Sequence, residues 1–191
     1  MLRTLRRWNR ELHSWWWWRR NYAPDRHVLE ERIFPALQER PEVRSLLFVG
    51  CARYTRRYPE LFAQREFWTI DPDPEVARYG SSHHVIDSIT NLRSHVGPAS
   101  LDAVILNGVL GYGLDETQDI ETAFDQCFQC LRPGGLLIVG WDEALPVPLD
   151  SVDSLTRFEP TILGDFPAPR YPTFSWTDHT FDFYVRPDAD R

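Results

Sequence analysis

Five short apolar segments constrain the fold of this 191-residue chain more than any other feature of its sequence. They lie at residues 45–50, 67–71, 84–87, 101–107 and 136–140. Because they lack the polar–apolar alternation of a half-exposed strand, each is predicted to be a strand buried on both faces. Such strands, most of them separated by helix-length connections, are typical of an α/β protein with a parallel sheet and right-handed crossovers.

The clearest helix is predicted between the fourth and fifth segments. Its apolar residues recur at helical spacing and form one core-facing stripe. They are Ile120, Ala123, Phe124, Cys127, Phe128 and Leu131. The sequence Arg-Pro-Gly-Gly at 132–135 then predicts the end of the helix and a turn into the fifth strand.

Two further helices are predicted before the first strand. Residues 2–18 place apolar side chains at three- and four-residue steps, which gives one aromatic-rich face and one Arg-rich face. The next helix follows Pro24, with Asp25 as its cap, and ends at Pro41. Pro35 within it predicts a kink or a break.

Beyond Gly140 the sequence becomes rich in proline and is predicted to be a long connection. It leads to two final strands at 173–176 and 180–185, antiparallel around residues 177–179. The length suits one domain over residues 1–191. That domain comprises a helical cap at 1–42, a sheet core at 43–142, and the connection with its strands at 143–191.

Charge and composition exclude several classes of function. All 21 basic residues are Arg, so a mechanism through a Lys Schiff base is excluded. Six Arg fall within residues 1–20, and the rest of the chain carries 15 Arg against 27 acidic residues. This acidic body argues against nucleic acid as a partner.

The compartment predicted from composition is the cytoplasm. Three cysteines cannot build a secreted disulfide framework. No run of about 18 apolar residues predicts a transmembrane segment, and charged residues interrupt any signal-peptide core near the start of the chain.

Glycine or polar residues follow the predicted strands. In a doubly wound sheet, ligands bind outside the carboxyl ends of the strands. Glycine lets backbone approach a ligand, and an acid after the second strand can accept hydrogen bonds from both hydroxyls of a ribose. The sequence therefore predicts a nucleoside site whose candidate residues are Gly50, Cys51, Ala52, Asp71, Asp87 and Asn107.

The order of these motifs resembles that of the class I S-adenosylmethionine-dependent methyltransferases, over about residues 43–142. Residues 46–52, Leu-Leu-Phe-Val-Gly-Cys-Ala, are similar to the family's first motif. Asp71-Pro72 resembles its ribose-binding acid, and Asp87-Ser88 the position that reads the adenine amine. Residues 131–136, Leu-Arg-Pro-Gly-Gly-Leu, closely match its turn into the fifth strand.

The resemblance implies a doubly wound, mostly parallel Rossmann-like sheet of seven strands. Their order would be 3-2-1-4-5-7-6, with the last strand antiparallel. It also implies S-adenosylmethionine as the cofactor, S-adenosylhomocysteine as its product, and methyl transfer as the reaction.

The first motif departs from the family's pattern of an acid followed by three alternate glycines. Phe48 stands where the acid is expected, and Ala52 and Tyr54 stand where the second and third glycines are. The loop is therefore either differently shaped or does not need a positive φ at those positions. A nicotinamide dinucleotide would need Gly-x-Gly-x-x-Gly, which this loop does not supply.

A base and an acceptor site are predicted near the carboxyl ends of the same strands. His179 and Asp142 are the candidate bases, although a turn histidine and a solvent-facing acid explain them equally simply. Tyr112 lies between two glycines where the acceptor would sit. An aromatic wall would be completed by Tyr22, Trp141 and Trp176, each of which could instead be packing.

No metal site is predicted. Cys127 and Cys130 form a single CxxC motif, and Cys127 falls on the buried helix stripe. His83 and His84 are adjacent on a strand, so their rings point to opposite faces.

Two classes of function follow from these observations. The first is methyl transfer to a small acceptor that is aromatic or otherwise apolar. The second is a protein that keeps the fold without the transfer, either as a regulatory partner subunit or as an enzyme for another reaction. The Arg- and Trp-rich segment at 1–20 could be a docked strut, a lid or a surface attachment, and a homodimer or a partner subunit both stay open.

Overall fold

The computed structural model describes residues 24–143, 147–173 and 178–188. The helix predicted at 2–18, Tyr22 and Trp176 lie outside the described residues. Within the described ranges, no helix is long and apolar enough to cross a bilayer.

The described residues form eight strands: β1 Ser45–Val49, β2 Glu66–Ile70, β3 His83–Val85, β4 Leu101–Asn107, β5 Leu131–Asp142, β6 Glu159–Pro160, β7 Arg170–Pro172 and β8 His179–Val185. They lie in one sheet in the order β3-β2-β1-β4-β5-β8-β6, with β7 also paired to β8. Strands β1 to β5 are mutually parallel, whereas β8 runs antiparallel to β5, β6 and β7. The predicted Rossmann-like sheet, with an antiparallel strand inserted beside the fifth, is confirmed. The described residues contain eight strands where seven were predicted.

Two short strands, β6 and β7, lie within the predicted proline-rich connection. Strand β7 ends at Pro172, because proline has no N–H for a ladder and tends to end an edge strand. Apart from Thr173, the strand predicted at 173–176 lies outside the described residues. The backbone N–H of Thr173 then donates to the carbonyl of His179 at 2.8 Å. Strand β8 accordingly begins at His179, one residue earlier than predicted.

The first described helix, α1, contains a π-helical turn. It comprises Pro24–Val28, the π-helical Leu29–Ile33 and Phe34–Gln38. Pro35 lacks an N–H, and its ring would clash with the carbonyl four residues earlier in a regular α-helix. The wider turn before it accommodates this clash, so the predicted kink takes the form of a π-turn and the helix is not broken.

The helices in the crossovers between strands are shorter than predicted, except for one. Helix α3, Thr117–Cys130, buries Ile120, Ala123, Phe124 and Cys127 of the expected stripe against the sheet. Phe128 is half-buried, and Leu131 belongs to β5 and not to the helix. Helix α2 is the single turn Tyr58–Leu61. The other connections are 3₁₀ segments: Arg53–Arg57, Pro74–Tyr79, Ile89–Ser94, Leu149–Ser151 and Asp153–Arg157.

The Arg-Pro-Gly-Gly sequence after α3 lies inside β5 as a register shift. Leu101 pairs with Leu131, but Ala103 pairs with Leu136, so the intervening residues bulge out of the ladder. Gly134 supplies the positive φ of +74° that this bulge needs. Helix and strand are thus joined without a separate loop.

Both faces of the sheet are covered at its central strands, as expected for buried parallel strands. The prediction of burial on both faces is wrong for β3, an edge strand in which His83 is exposed and His84 and Val85 are half-buried. Leu47 and Val49 of β1 pack on the face covered by α3. Leu46 and Phe48 pack on the opposite face, against α1 and α2. This alternation leaves the carboxyl ends of β1 to β5 as the edge where a ligand can enter.

Candidate functional site

Gly50 turns the chain at the end of β1 and needs to be glycine for two reasons. Its φ is +85°, a region that side-chain-bearing residues rarely adopt. A Cβ here would also lie only 2.7 Å from Val109 Cγ1 in the loop after β4. The turn is held in place because the N–H of Gly50 donates to the carbonyl of Ile70 at 2.9 Å.

The other two glycine positions of the family's first motif do not need glycine in this chain. Ala52 is extended, with φ −151° and ψ 172°, which any residue adopts. Tyr54 lies in the 3₁₀ segment Arg53–Arg57 and has no positive φ. Of the two explanations offered by the sequence, the second holds: the backbone does not need the left-handed conformation there.

Phe48, at the position of the family's acid, belongs to an aromatic cluster under α1. Its side chain has no exposed surface. Its ring meets those of Phe34 and Tyr58 edge-on, with centroids 6.5 and 5.2 Å apart. An ionised acid in this apolar layer would lose its hydration without gaining a partner, which is costly.

Asp71, immediately after β2, ties the Gly50 turn to its own loop. Its Oδ2 accepts the backbone N–H of Cys51 at 2.7 Å, and its Oδ1 accepts that of Asp73 at 2.8 Å. Pro72 lies between Asp71 and Asp73, the two residues that the second of these hydrogen bonds joins. A carboxylate offers about four acceptor sites, so Asp71 keeps capacity for two ligand hydroxyls.

Asp87, after β3, is largely engaged within its own loop. It accepts hydrogen bonds from His95 at 2.8 Å, from Asn91 at 2.9 Å and from the N–H of Ser88 at 2.7 Å. The bond from His95, followed by the other two, lowers the pKa of Asp87 to about 2. Ser88 caps the next 3₁₀ segment through the N–H of Thr90.

Cys51 is unsuited to act as a nucleophile. Burial, and then the charge of Asp71, raise the pKa of its thiol to about 11, so the reactive thiolate is scarce at neutral pH. Its Sγ lies 4.0 Å from Nδ1 of His84. Cys51 therefore lines the turn as a small protonated side chain.

A second polar group joins three strand ends further along the sheet edge. His179 begins β8 and is 4% exposed. Its Nδ1 lies 2.7 Å from Oδ1 of Asp142, its neighbour on β5, and its Nε2 lies 3.1 Å from Oδ1 of Asn107 on β4. The two predicted bases are thus in direct contact, and Asn107 adjoins them.

Gly140 makes this close packing possible. A Cβ there would lie 2.0 Å from Oδ1 of Asn107 and 2.8 Å from both Nε2 of His179 and Cε1 of Phe181. No side chain fits in that space. A glycine inside an apolar strand often marks such a close approach, and this signal was available in the sequence.

Tyr112 reaches the same group from the loop after β4. Its side chain is 64% exposed, and its hydroxyl donates to Oδ2 of Asp142 at 3.2 Å. Leu110 and Leu114 anchor the loop in the core. The glycines on either side of Tyr112 adopt positive φ values of 78° and 124°, which presents the ring at the tip of the loop.

Trp141 lies on the opposite face of β5 from Asp142. It packs on the α3 side of the sheet, and its indole N–H donates to Asp182 at 3.2 Å. Asp182 is 2% exposed and accepts two hydrogen bonds from Arg170, at 2.7 and 2.9 Å. The structure therefore separates Trp141 from the Asp142 group and gives it a buried anchor.

Asp182 and Arg170 were not predicted from the sequence. The available signal was a charged residue between Phe181 and Phe183 in an apolar strand, because a buried acid requires a partner.

The cysteines of the CxxC motif are both buried. Cys127 and Cys130 have no exposed surface, and burial raises the pKa of both thiols, that of Cys130 to about 11. In the part of the chain that the structure describes, no three His, Cys, Asp or Glu side chains are grouped to hold a metal ion.

The strand order, with β8 antiparallel beside β5, defines the fold of the class I S-adenosylmethionine-dependent methyltransferases. The family model described as "Methyltransferase domain" matches residues 47–139. The resemblance seen in the sequence is thereby confirmed. No curated protein matches the chain by sequence.

Solved structures share the fold at low sequence identity. The N-methyltransferase NodS from Bradyrhizobium japonicum WM9, in complex with S-adenosylhomocysteine, is 19% identical, with a TM-score of 0.69 over 90% of this chain and 92% of that one. A TehB-like methyltransferase from Corynebacterium glutamicum is 12% identical, with a TM-score of 0.62 over 96% of each chain.

A third similar structure contains both a small acceptor and the spent cofactor. It is the 1,6-didemethyltoxoflavin-N1-methyltransferase of Burkholderia thailandensis, with bound 1,6-didemethyltoxoflavin and S-adenosylhomocysteine. It is 16% identical to this chain, with a TM-score of 0.57 over 94% of this chain and 87% of that one.

Proposed function

We propose that this chain binds S-adenosylmethionine at the carboxyl ends of β1 to β4 and transfers its methyl group to a small aromatic or apolar acceptor. The observation that carries this proposal is the pairing of the Gly50 turn with Asp71. The carboxylate fixes the amide of Cys51 at 2.7 Å, so the backbone at the turn and the acid act as one preformed unit.

The residues present fit such a cofactor. Asp71 has acceptor capacity for the two ribose hydroxyls, and Pro72 stiffens the loop that carries it. A Cβ on Gly108, after β4, would meet no atom within 4 Å, so there is open space beside the turn. Cys51 and Ala52 follow Gly50 in the turn.

Asp87, Ser88 and Asn107 complete the proposed cofactor site. Asp87 has three hydrogen-bond donors and room for one more among its acceptor positions, which suits an exocyclic amine. Asn107 is 7% exposed and hydrogen-bonded to His179, so it connects the cofactor side of the edge to the acceptor side.

The acceptor side is proposed at Tyr112, Asp142 and His179. In the reaction, the lone pair of the acceptor atom forms a bond to the methyl carbon while the carbon–sulfur bond breaks, and S-adenosylhomocysteine is the product. Such a displacement needs little covalent help, because alignment alone can supply about 7–11 kcal/mol. The presence of a small acceptor in the Burkholderia enzyme supports an acceptor of similar size.

A second candidate function is the fold without the transfer, as a regulatory subunit or an enzyme of another reaction. The absence of the acid at Phe48 favours it. The extended backbone of Ala52 weakens it, because the loop keeps its turn without further glycines.

Calorimetry tests the proposal. We expect both S-adenosylmethionine and S-adenosylhomocysteine to bind, and Asp71→Asn to weaken both by about ten- to a hundredfold, since a hydrogen bond to a charged acceptor contributes about 1.5–3 kcal/mol. Asp165→Asn is the matched control, because this exposed acid pairs with Arg32 away from the edge. Failure of both compounds to bind refutes the proposal, and binding without any methyl transfer to a panel of small acceptors supports the alternative.

A further inference from the structure

The burial of His179 gives it a different role from that of a base acting on an acceptor. At 4% exposure, with a polar partner at each ring nitrogen, the imidazole is enclosed between Asp142 and Asn107. A group that takes a proton from an acceptor has to reach it directly or through one water. The side chain of Asp142 is 22% exposed and is the member of this pair that faces outward.

The two oxygens of Asp142 are in different surroundings. Oδ1 lies 2.7 Å from Nδ1 of His179, which fixes the orientation of the carboxylate. Oδ2 accepts the hydroxyl of Tyr112 at 3.2 Å, and Tyr112 lies at the tip of an exposed glycine-rich loop. A ligand that donates a hydrogen bond can therefore replace or join the tyrosine at Oδ2.

The chemistry of a carboxylate selects one class of ligand. An ionised carboxylate only accepts hydrogen bonds, so it favours a ligand that donates them. Because it is negatively charged, it repels an anionic acceptor. It is also much too weak a base to ionise an alcohol. A primary or secondary amine, by contrast, becomes positively charged as its nitrogen is methylated. A fixed negative charge beside that nitrogen stabilises the charge as it develops.

We propose that Asp142 is the binding group for an amine acceptor, whose N–H donates to Oδ2, and that His179 is a positioning residue that acts through Asp142. An acceptor that binds as an ammonium ion first loses one proton to water. The lone pair of the resulting amine then forms the new bond to the methyl carbon while the carbon–sulfur bond breaks. The remaining N–H stays on Oδ2 while the nitrogen is cationic, and a second proton goes to water afterwards. Its identity as the methyl acceptor rests on the proposed function. The affinity of this site for ammonium groups does not.

Three probes of similar shape test the site: benzylamine, benzyl alcohol and benzoate. At neutral pH they are a cation, a neutral molecule and an anion. Calorimetry with the whole chain should show that benzylamine binds at least about tenfold more tightly than the other two, because hydrogen bonds between charged groups are the stronger ones. No binding of benzylamine, or no preference for it, overturns the proposal.

Substitutions assign the preference to one carboxylate. Asp142→Asn keeps the shape and an acceptor for His179 but removes the charge, so we expect the preference to fall to within about threefold. Asp115→Asn is the control, because this acid is exposed on the same loop as Tyr112; it should leave the preference unchanged. A preference that survives Asp142→Asn refutes the assignment.

Two variants of His179 test positioning. His179→Asn places an amide N–H near the position of Nδ1 and should retain the preference for benzylamine, whereas His179→Leu should reduce it at least about threefold. Equal preference in both variants would show that His179 does not act through Asp142. If His179→Leu fails to fold, loss of the preference in His179→Asn overturns the role on its own.

Titrations with and without S-adenosylhomocysteine separate this inference from the proposed function. If the probes bind in a way that depends on Asp142 but S-adenosylhomocysteine does not bind, the amine site is supported and the proposed methyltransferase function is refuted. Binding of S-adenosylhomocysteine without any preference for benzylamine does the reverse.

Discussion

Replacing Gly140 by alanine should destabilise the protein strongly. Among the glycines that lack a positive φ and whose added Cβ would meet only side chains, Gly140 should be the one whose replacement costs most. The added Cβ would lie 2.0 Å from Oδ1 of Asn107 and 2.8 Å from Nε2 of His179. Gly140 does not have a positive φ, so the cost comes from crowding. We expect His179 and Asn107 to be forced apart.

The magnitude follows from two contributions. Overpacking a close-packed interior costs about 1–3 kcal/mol. Separating Asn107 from His179 removes a buried hydrogen bond, which costs about 1 kcal/mol more. The free energy of unfolding should therefore fall by about 2–4 kcal/mol, which corresponds to a decrease in Tm of about 5–15 °C for a chain of this size.

Urea unfolding followed by far-ultraviolet circular dichroism measures the change. Gly97→Ala is the matched control, since the nearest atom to its added Cβ is 3.8 Å away, and it should stay within about 0.5 kcal/mol of the wild type. In an Asn107→Ala background, which removes the clashing oxygen, the cost of Gly140→Ala should be smaller by about 1 kcal/mol. The reasoning is refuted if Gly140→Ala is as stable as the Gly97→Ala control.

Three further outcomes are expected. Arg170→Leu should lower the free energy of unfolding by about 3–5 kcal/mol, because it leaves the buried carboxylate of Asp182 without its charged partner. Asp182→Asn should lower it by less, because Arg170 is 45% exposed. Equal losses in urea unfolding would contradict this. The hydrogen bond from His95 lowers the pKa of Asp87 from 3.8 to about 2, so its stabilising contribution is complete above about pH 4 and is lost as the pH falls to about 2. Asp87→Asn should flatten the stability curve over that range, and an unchanged acid profile would disprove the linkage. Ala52→Gly should cost about 0.5–1 kcal/mol in urea unfolding, because glycine adds freedom to the unfolded chain, without tightening S-adenosylmethionine binding in calorimetry.

The sheet could be predicted from the sequence because its strands carry local signals. A strand buried on both faces, such as β4, contains an unbroken apolar run, here residues 103–106, that is visible without knowledge of its neighbours. The stripe of α3 is local for the same reason, since Ile120 and Phe124 lie one helical turn apart. The short 3₁₀ crossovers and the two short strands β6 and β7 were not predicted, because proline and capping residues decide them.

The candidate site could be predicted only in part. Gly50 and Asp71 follow strands and were found from that placement. The contact between His179 and Asn107 joins residues 72 positions apart, and no periodicity reports such a pairing. Gly140 was the local sign of it, because a residue without a side chain near the end of a buried strand implies that something else fills the space.

The edges of the sheet have a consequence for how this protein behaves at high concentration. At one edge, β3 has three residues. At the other, β6 and β7 have two and three residues, and both end in proline, which cannot donate to a neighbouring strand. An incoming strand needs a continuous row of unpaired backbone groups, and neither edge supplies one within the described residues. The fold thus limits edge-to-edge association and the growth of β-rich aggregates at the ends where an open sheet is most vulnerable.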